Sequence, residues 1–124
     1  PLAQYDELAL DHLTEYPQII FSKKSALRGM IDDIYQRKNL SYKVAYEVKI
    51  DQVIAGLVSQ NWGIAIIPNM TMLDSLPLKR IKLTDISWER YFYLAYNKDT
   101  YLPPVVKNFR DFILEQADPK QILY

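Results

Sequence analysis

The stretch DQVIAGLVSQNWGIAIIP, residues 51–68, reads as a helix, a turn and a buried strand in direct succession. Asp51 is the predicted N-cap, because its carboxylate can accept hydrogen bonds from the free N–H groups of the first helical turn. Asn61 and Gly63 tolerate the left-handed backbone with which many helices end. The apolar residues before them recur at the spacing of one helical face: Ile50, Val53, Ile54, Leu57 and Val58.

The run from Gly63 to Ile67 is apolar without alternation, and Pro68 ends it. Such a run is typical of a strand that is covered on both faces, as in parallel sheets flanked by helices. Folds of this kind bind their ligands at the carboxyl edge of the sheet. The segment therefore predicts an α/β fold with a ligand site close to Pro68.

A second strand and helix precede this segment. PQIIFS, residues 17–22, reads as a buried strand, and Ser22 or Ser25 is the predicted cap of the helix that follows. The serine hydroxyls, the free N–H groups of the helix start and the ammonium groups of Lys23 and Lys24 can together hold a carboxylate or a phosphate. Simple capping is the competing interpretation. A nucleotide is disfavoured, because the sequence has no glycine-rich phosphate loop.

Residues 40–49 alternate weakly between apolar and polar side chains, which predicts a half-exposed edge strand. Its apolar face is predicted to carry Tyr42, Val44, Tyr46 and Val48. Edge strands present unpaired backbone groups that a second copy of the chain can cover. Helix 25–39 and strand 42–48 are therefore the predicted contact of a homodimer.

The remaining segments are predicted to be shorter elements. Residues 1–5 are predicted to be extended, residues 6–16 to form a short helix or turn, and residues 78–83 to form a short strand. RYFYLAY, residues 90–96, is strand-like, and Pro103 with Pro104 opens a last helix. The inner side of that helix is predicted to carry Val105, Val106, Phe109, Phe112 and Ile113.

Composition excludes several functions. Among 124 residues, 15 Lys and Arg balance 15 Asp and Glu, so the chain has no basic field for phosphates and is not expected to contact DNA. No apolar run approaches the length of a membrane span, so no membrane contact is expected. Zero cysteines exclude disulfides and thiolate sites and are compatible with a reducing cytoplasm. With one histidine, His12, and no recognisable triad, carboxylate pair or metal motif, no catalytic residue, metal or cofactor is predicted.

Four blocks of the chain resemble the effector-binding, or substrate-binding, domain of LysR-type transcriptional regulators. The central block, AGLV at 55–58 followed by GIAIIP at 63–68, is similar to the family pattern aGLVaaGlGialvP. Three further blocks agree in order and spacing: PLA at 1–3, LDHL through PQIIF at 10–21, and residues 93–113. Asn61 stands where the family usually has glycine, and Val53 stands where a small hydroxyl residue is common.

The resemblance implies a three-layer, Rossmann-like subdomain of a type II periplasmic-binding-protein-like fold, with a mixed sheet flanked by helices. It implies that residues 1–98 form the second subdomain of the effector domain and that residues 99–124 form a helix returning to the first. In the family a helix-turn-helix domain precedes this region. Because the chain starts inside a family pattern without an initiating Met, it is expected to be a fragment of a cytoplasmic, dimeric regulator.

The resemblance also favours ligand binding over simple capping at the serines. The implied effector is a small metabolite, a carboxylate or another anion, held in the cleft between the subdomains. The predicted effector-binding residues come from the strand ends and the helix starts: Phe21, Ser22, Ser25, Gln52, Val53 and Pro68. Two other functions remain open on this fold, a solute-binding domain that feeds a transporter and an enzyme. A signal peptide in the parent gene would favour transport, whereas an upstream helix-turn-helix would favour regulation.

Overall fold

The computed structural model describes residues 1–87 and 93–116, and the chain divides into two compact units, residues 1–87 and 88–124. The first unit contains four strands and two helices: β1 (Glu7–Leu8), β2 (Pro17–Phe21), α1 (Ala26–Arg37), β3 (Lys43–Val48), α2 (Asp51–Ser59) and β4 (Lys82–Leu83). Single 3-10 turns lie at Leu2–Gln4, Leu10–Leu13 and Thr71–Ser75. The second unit contains α3 (Pro104–Gln116).

The described strands pair in parallel. β2 pairs with β3 from Pro17 opposite Lys43 to Phe21 opposite Val48, and β1 pairs with β4. On its other side β2 meets Ile64, whose carbonyl accepts from the N–H of Ile19 at 2.8 Å. Parallel neighbours need crossover connections, which α1 supplies between β2 and β3. The predicted α/β class is thus confirmed.

The core of the first unit lies around β2. Ile19, Ile20 and Phe21 are almost fully buried, and the two helices cover them with Ile31, Ile34, Tyr35, Ile54 and Ala55. Gln18 is also 1% exposed, and its Nε2 donates to the carbonyl of Leu13 at 3.1 Å and to the Tyr35 hydroxyl at 2.7 Å. Within the described residues, every buried side-chain nitrogen or oxygen has a hydrogen-bond partner.

The predicted strand at residues 63–67 is wrong in extent. Only Ile64 makes ladder hydrogen bonds, and residues 63–67 are half-buried rather than buried. β2 is the only strand that pairs with this segment within the described residues, so its outer edge is not covered in the way that the apolar run suggested.

Asp51 is the first residue of α2 and not its N-cap. Ile50 takes the cap position, since its carbonyl accepts from the N–H groups of Val53 and Ile54, both at 3.1 Å. The Asp51 carboxylate still serves the first turn, because it accepts from the N–H of Gln52 at 2.9 Å. The negative charge therefore lies at the positive end of the helix dipole, as predicted, one residue later than expected.

The predicted turn after α2 is confirmed at Asn61. This residue has φ 62°, and the N–H groups of Asn61 and Trp62 donate to the carbonyls of Val58 and Leu57, which is the Schellman arrangement. α1 ends in the same way at Asn39, with φ 53°. Asparagine tolerates this backbone, so glycine is not required at either helix end.

Gly63 is required for space. A Cβ at this position would lie 2.7 Å from the carbonyl oxygen of Pro17 and 3.3 Å from Cγ1 of Ile19. The Ile64 N–H donates to the same Pro17 carbonyl at 3.0 Å, which holds the two backbones together. This close approach connects the segment after α2 to the first residue of β2.

A bulge changes the faces of β3. Gln18 pairs with Val44 and Ile19 pairs with Tyr46, so Ala45 is an extra residue. Paired residues of parallel strands point to the same face, and successive residues of a strand point to opposite faces. Val44 and Tyr46 therefore lie on opposite faces, and the predicted common face of Tyr42, Val44, Tyr46 and Val48 is wrong. Tyr46 instead packs against Trp62, with ring centroids 5.5 Å apart.

The shorter elements differ from prediction in extent. Residues 1–5 are not extended, because the Tyr5 N–H closes a turn on the Leu2 carbonyl at 3.1 Å. The predicted strand at 78–83 is reduced to Lys82–Leu83. Within residues 6–16, Glu7–Leu8 is a strand and Leu10–Leu13 a turn. The predicted strand at 90–96 falls partly outside the described residues, and its described part, 93–96, makes no strand.

The second unit begins its helix at Pro104, as predicted. Leu94, Tyr96 and Leu102 form a small pocket with Val106 and Phe109 of α3. Most of the predicted inner face is nevertheless open in this unit, as shown by the exposed fractions of Val105 (73%), Phe109 (59%) and Phe112 (57%). The sequence predicts that this helix ends at Asp118 and Pro119, which lie outside the described residues.

Candidate ligand-binding site

Two strand ends and two helix starts meet at one edge of the first unit. Phe21 ends β2 directly opposite Val48, which ends β3. α1 starts a few residues after the first strand end, and α2 starts a few residues after the second. Because β2 and β3 are parallel, both helices point their positive dipole ends toward the same edge of the sheet.

The four residues Ser22–Ser25, here called the serine turn, connect β2 to α1. The Ser22 N–H donates to the Val48 carbonyl at 2.9 Å, and the Ser25 N–H donates to the Ser22 carbonyl at 2.9 Å. Ser25 is the N-cap, with its Oγ accepting from the Leu27 N–H at 3.2 Å. Within the described residues, the backbone N–H groups of Lys24 and Ala26 enter no hydrogen bond. The turn therefore combines capping with two available donors.

A buried arginine next to the serine turn bonds to the residue that precedes the turn. Arg28 is 9% exposed, and its Nη1 donates to the Phe21 carbonyl at 3.0 Å. Its Nε donates to both carboxylate oxygens of Asp32, at 2.9 and 3.0 Å. Glu47 of β3 completes the cluster, because one oxygen accepts from Arg28 at 3.4 Å and the other from the Lys23 N–H at 3.3 Å.

The protonation states of this cluster follow from its contacts. Burial acts to lower the pKa of Arg28, but hydrogen bonding to Asp32 raises it, and the net shift is upward, so the guanidinium stays charged. Burial and the hydrogen bond to Asp32 raise the pKa of Tyr42 to about 12. The Tyr42 phenol is therefore protonated and donates to the Asp32 carboxylate.

Arg28 was missed in the sequence, although a signal was present. It precedes Ile31 by three residues and Tyr35 by seven, and this helical spacing places it on the same face of α1 as these two core residues. A charged residue on that face needs partners, and Asp32 stands at the i+4 position. Only the fold brings Glu47 and the Phe21 carbonyl to the same guanidinium.

The predicted site residues differ in accessibility. Ser22 and Ser25 lie together, half-buried, in the serine turn, and Gln52 and Val53 are exposed in the first turn of α2. The Phe21 side chain is 3% exposed, so it belongs to the core and contributes its carbonyl to the edge. Pro68 is buried, four residues beyond the Ile64 bridge.

Chemistry beyond binding has few candidates. His12 is exposed and lies beside the Asp11 carboxylate, with Nδ1 2.9 Å from Oδ1. Among residues 1–87 and 93–116, no three His, Cys, Asp or Glu side chains are placed to hold a metal ion. In the same stretches, no helix is both long and apolar enough to cross a membrane.

Comparison with known proteins gives consistent matches. The profile of the LysR substrate binding domain family matches residues 1–118. The uncharacterized HTH-type transcriptional regulator YybE of Bacillus subtilis is 25% identical over 92% of the chain, and the HTH-type transcriptional activator CmpR of Synechocystis is 22% identical over 98%. The effector binding domain of QuiR in complex with shikimate is 35% identical, with a TM-score of 0.88 over 99% of the chain.

The chain spans 39% of the length of YybE, 41% of CmpR and 58% of the QuiR chain. A parallel sheet edge with two helix starts is where open α/β folds bind ligands, and the structural match to the QuiR effector binding domain shows that this fold is of the type II periplasmic-binding-protein-like class. The chain belongs to the LysR substrate binding domain family. It is an effector-binding domain of LysR type, and the transporter and enzyme alternatives are not favoured, because its relatives are transcriptional regulators.

Proposed function

We propose that this domain binds a small anionic metabolite at the edge where β2 and β3 end. The single observation that carries the proposal is the meeting of two helix starts with the serine turn at that edge. The domain signals binding to a helix-turn-helix domain of the same cytoplasmic protein, in keeping with its HTH-type relatives. It acts as a sensor and not as an enzyme, and it makes no DNA contact itself, since its net charge is zero.

The anion belongs at the start of α1 rather than at the start of α2. In α2 the Asp51 carboxylate already accepts the hydrogen bond of the Gln52 N–H, and its charge would repel a second negative group. In α1 the N–H groups of Lys24 and Ala26 are available, and the exposed Lys23 and Lys24 add positive charge. The ligand therefore places its negative group on the serine turn and its neutral part against α2, at Gln52 and Val53.

A singly charged carboxylate fits this arrangement of charges better than a multiply charged anion does. Glu47 and Asp51 both lie near the edge, so a multiply charged group would meet two carboxylates. Shikimate, the ligand of the QuiR domain, is a small carboxylate with hydroxyl groups, which suits a site of this kind. We therefore expect a singly charged, hydroxylated carboxylate, with a hydroxyl group bonded to the Gln52 amide.

The rest of the cleft comes from a first subdomain. We propose that residues 1–98 are the second subdomain and that residues 99–124 return to the first, as the resemblance implied. The exposed apolar residues of α3 support this, because Val105, Phe109 and Phe112 form a surface that a helix normally packs against a partner.

The homodimer is proposed to form through helix 25–39 and strand 42–48. β3 pairs only with β2 within the described residues, so one of its edges is unpaired, and Val44 on it is 52% exposed. An open groove of about 420 Å³ lies between α1 and β3, with a lining that includes Arg28, Asp32, Gln36, Tyr42 and Val44. This α1–β3 groove offers both apolar and hydrogen-bonding groups to a second copy.

Replacing Ser25 with alanine tests the proposed anion site. Small carboxylates, shikimate included, are first screened by thermal shift against the full-length protein. For a carboxylate that binds, Ser25→Ala is expected to weaken affinity roughly ten- to a hundredfold, because a hydroxyl donor to the charged group is lost. The free energy of unfolding should also fall by about 1 kcal/mol through loss of the cap.

Two further variants complete this test. Ser75→Ala is the control, because the Ser75 hydroxyl is exposed and donates to the Met72 carbonyl in a separate turn, so affinity should not change. Gln52→Ala should lower affinity for a hydroxylated carboxylate more than for its deoxy analogue. Equal affinity of wild type, Ser25→Ala and Gln52→Ala for a confirmed ligand would place the anion elsewhere and refute the proposal.

A further inference from the structure

A hydrogen bond between Arg28 and Phe21 links the two ends of the serine turn. The guanidinium is on the first turn of α1, yet it reaches back to the carbonyl of Phe21, the residue immediately before the turn. The seven-residue stretch that follows Phe21 is thereby fastened at both ends. Opening the turn would take the buried guanidinium away from this carbonyl and leave its Nη1 only the longer, 3.4 Å contact with Glu47, so the arrangement resists opening.

The same guanidinium connects the serine turn to the α1–β3 groove. Asp32 accepts from Arg28 on one side and from the Tyr42 hydroxyl on the other, and both Asp32 and Tyr42 line the groove. Glu47 bridges Arg28 to the N–H of Lys23 inside the turn. One continuous set of hydrogen bonds therefore runs from the groove surface to the backbone of the turn.

We propose that Arg28 is the positioning residue of the anion site, and that covering the α1–β3 groove stiffens the serine turn through Asp32. The Asp32 side chain is 47% exposed in the chain by itself, so water screens its attraction to Arg28. A second copy seated in the groove excludes that water and strengthens the pair. The inference rests on the proposed function for the identity of both the site and the covering partner.

Amide hydrogen exchange of the full-length protein tests the inference without any ligand. The reporters are the N–H groups of Lys23 and Ser25, which donate to Glu47 and to the Ser22 carbonyl. Asp32→Asn removes one of the two negative charges that hold Arg28, the other being that of Glu47. Exchange at these two amides is expected to become roughly tenfold or more faster, the size of effect that losing a charge-assisted hydrogen bond produces.

The neighbouring residue supplies a matched control. Asp33 forms an exposed ion pair with Arg37 on the same helix, so Asp33→Asn removes the same charge one position away without touching Arg28. Exchange at the serine turn should be unchanged in this variant. Ile54 and Ala55 are buried, and their amides report opening of the whole domain. These two amides should exchange equally in wild type and in both variants. Equal exchange there would show that faster exchange at the serine turn is a local effect and not general destabilisation.

Dilution tests the link to the groove. In wild type, lowering the protein concentration until the dimer dissociates should speed exchange at Lys23 and Ser25, whereas in Asp32→Asn it should have little effect. Equal exchange in Asp32→Asn and Asp33→Asn would refute the positioning role of Arg28. Wild-type exchange that does not change with dissociation would refute the link to the groove. Failure to find a carboxylate ligand would instead count against the proposed function, so the two failures are distinguishable.

Discussion

Replacing Gly63 with alanine is expected to lower the free energy of unfolding by about 2 to 3 kcal/mol, the upper part of the range typical of overpacking, because the clash is with backbone. The new Cβ would lie 2.7 Å from the carbonyl oxygen of Pro17, which is fixed by its hydrogen bond to the Ile64 N–H. Valine at the same position should cost more, because its methyl groups would also meet Ile19. Urea denaturation measures both variants.

Gly29→Ala is the matched control for this prediction. Gly29 lies in the middle of α1, and no atom comes within 4 Å of the position that its Cβ would take. Alanine there should stabilise the protein by about 0.5 to 1 kcal/mol, because glycine is the weaker helix former. Opposite signs at the two glycines are therefore expected. A loss below about 0.5 kcal/mol at Gly63, the size of a surface substitution, would contradict the close approach.

Replacing Gln18 with leucine is expected to destabilise the domain by about 2 kcal/mol, because it leaves the buried Tyr35 hydroxyl without the Gln18 amide. The Leu13 carbonyl would also lose the amide but keeps the Tyr16 N–H, which donates to it at 3.2 Å, whereas Tyr35 is only 2% exposed. Gln60 is exposed at the C-terminal end of α2, away from the α1–β3 groove, so Gln60→Leu should change stability by less than about 0.5 kcal/mol. Denaturation of the two variants therefore separates a buried glutamine from an exposed one.

A double-mutant cycle sharpens this prediction. Tyr35→Phe removes only the hydroxyl that Gln18 contacts, so the double variant Gln18→Leu with Tyr35→Phe should be less destabilised than the sum of the single variants. A coupling of about 1 kcal/mol is expected for two residues that share a buried hydrogen bond. Strictly additive effects would mean that the 2.7 Å contact contributes nothing to stability.

The two helices of the first unit could be predicted closely from the sequence. Their apolar spacing is local, so α1 was expected over 25–39 and extends over Ala26–Arg37, and α2 begins at Asp51, one residue before the start that an N-cap at Asp51 implied. The left-handed residue that ends α2 was equally readable, because few residue types tolerate that backbone. Local chemistry therefore sufficed for the elements that approach the ligand edge.

The strands could be predicted less completely, because their faces and extents depend on neighbours distant in sequence. Nothing in the alternation of residues 40–49 reveals that Ala45 is extra relative to β2, yet this one residue sends Val44 and Tyr46 to opposite faces. The apolar run at 63–67 likewise indicated burial, but burial also requires a second neighbour, which no described residue provides.

In the candidate site, too, the features set by neighbouring residues were predictable and those set by residues distant in sequence were not. The serine turn was found because capping residues and lysines are adjacent in sequence, whereas the Arg28 cluster joins residues from β2, α1 and β3. Phe21 was predicted to be an effector-binding residue at the end of its strand, but the position of β2 between β3 and Ile64 buries its side chain in the core. Which side chains reach the ligand is thus decided by packing that the sequence does not display.

The most direct test of the central claim is a crystal structure of the full-length protein with a carboxylate identified by the thermal-shift screen. We expect one carboxylate oxygen to lie within about 3.2 Å of the backbone nitrogen of Lys24 or Ala26, with the neutral part of the ligand against Gln52 and Val53. A bound carboxylate that contacts neither the serine turn nor the start of α2 would contradict the account.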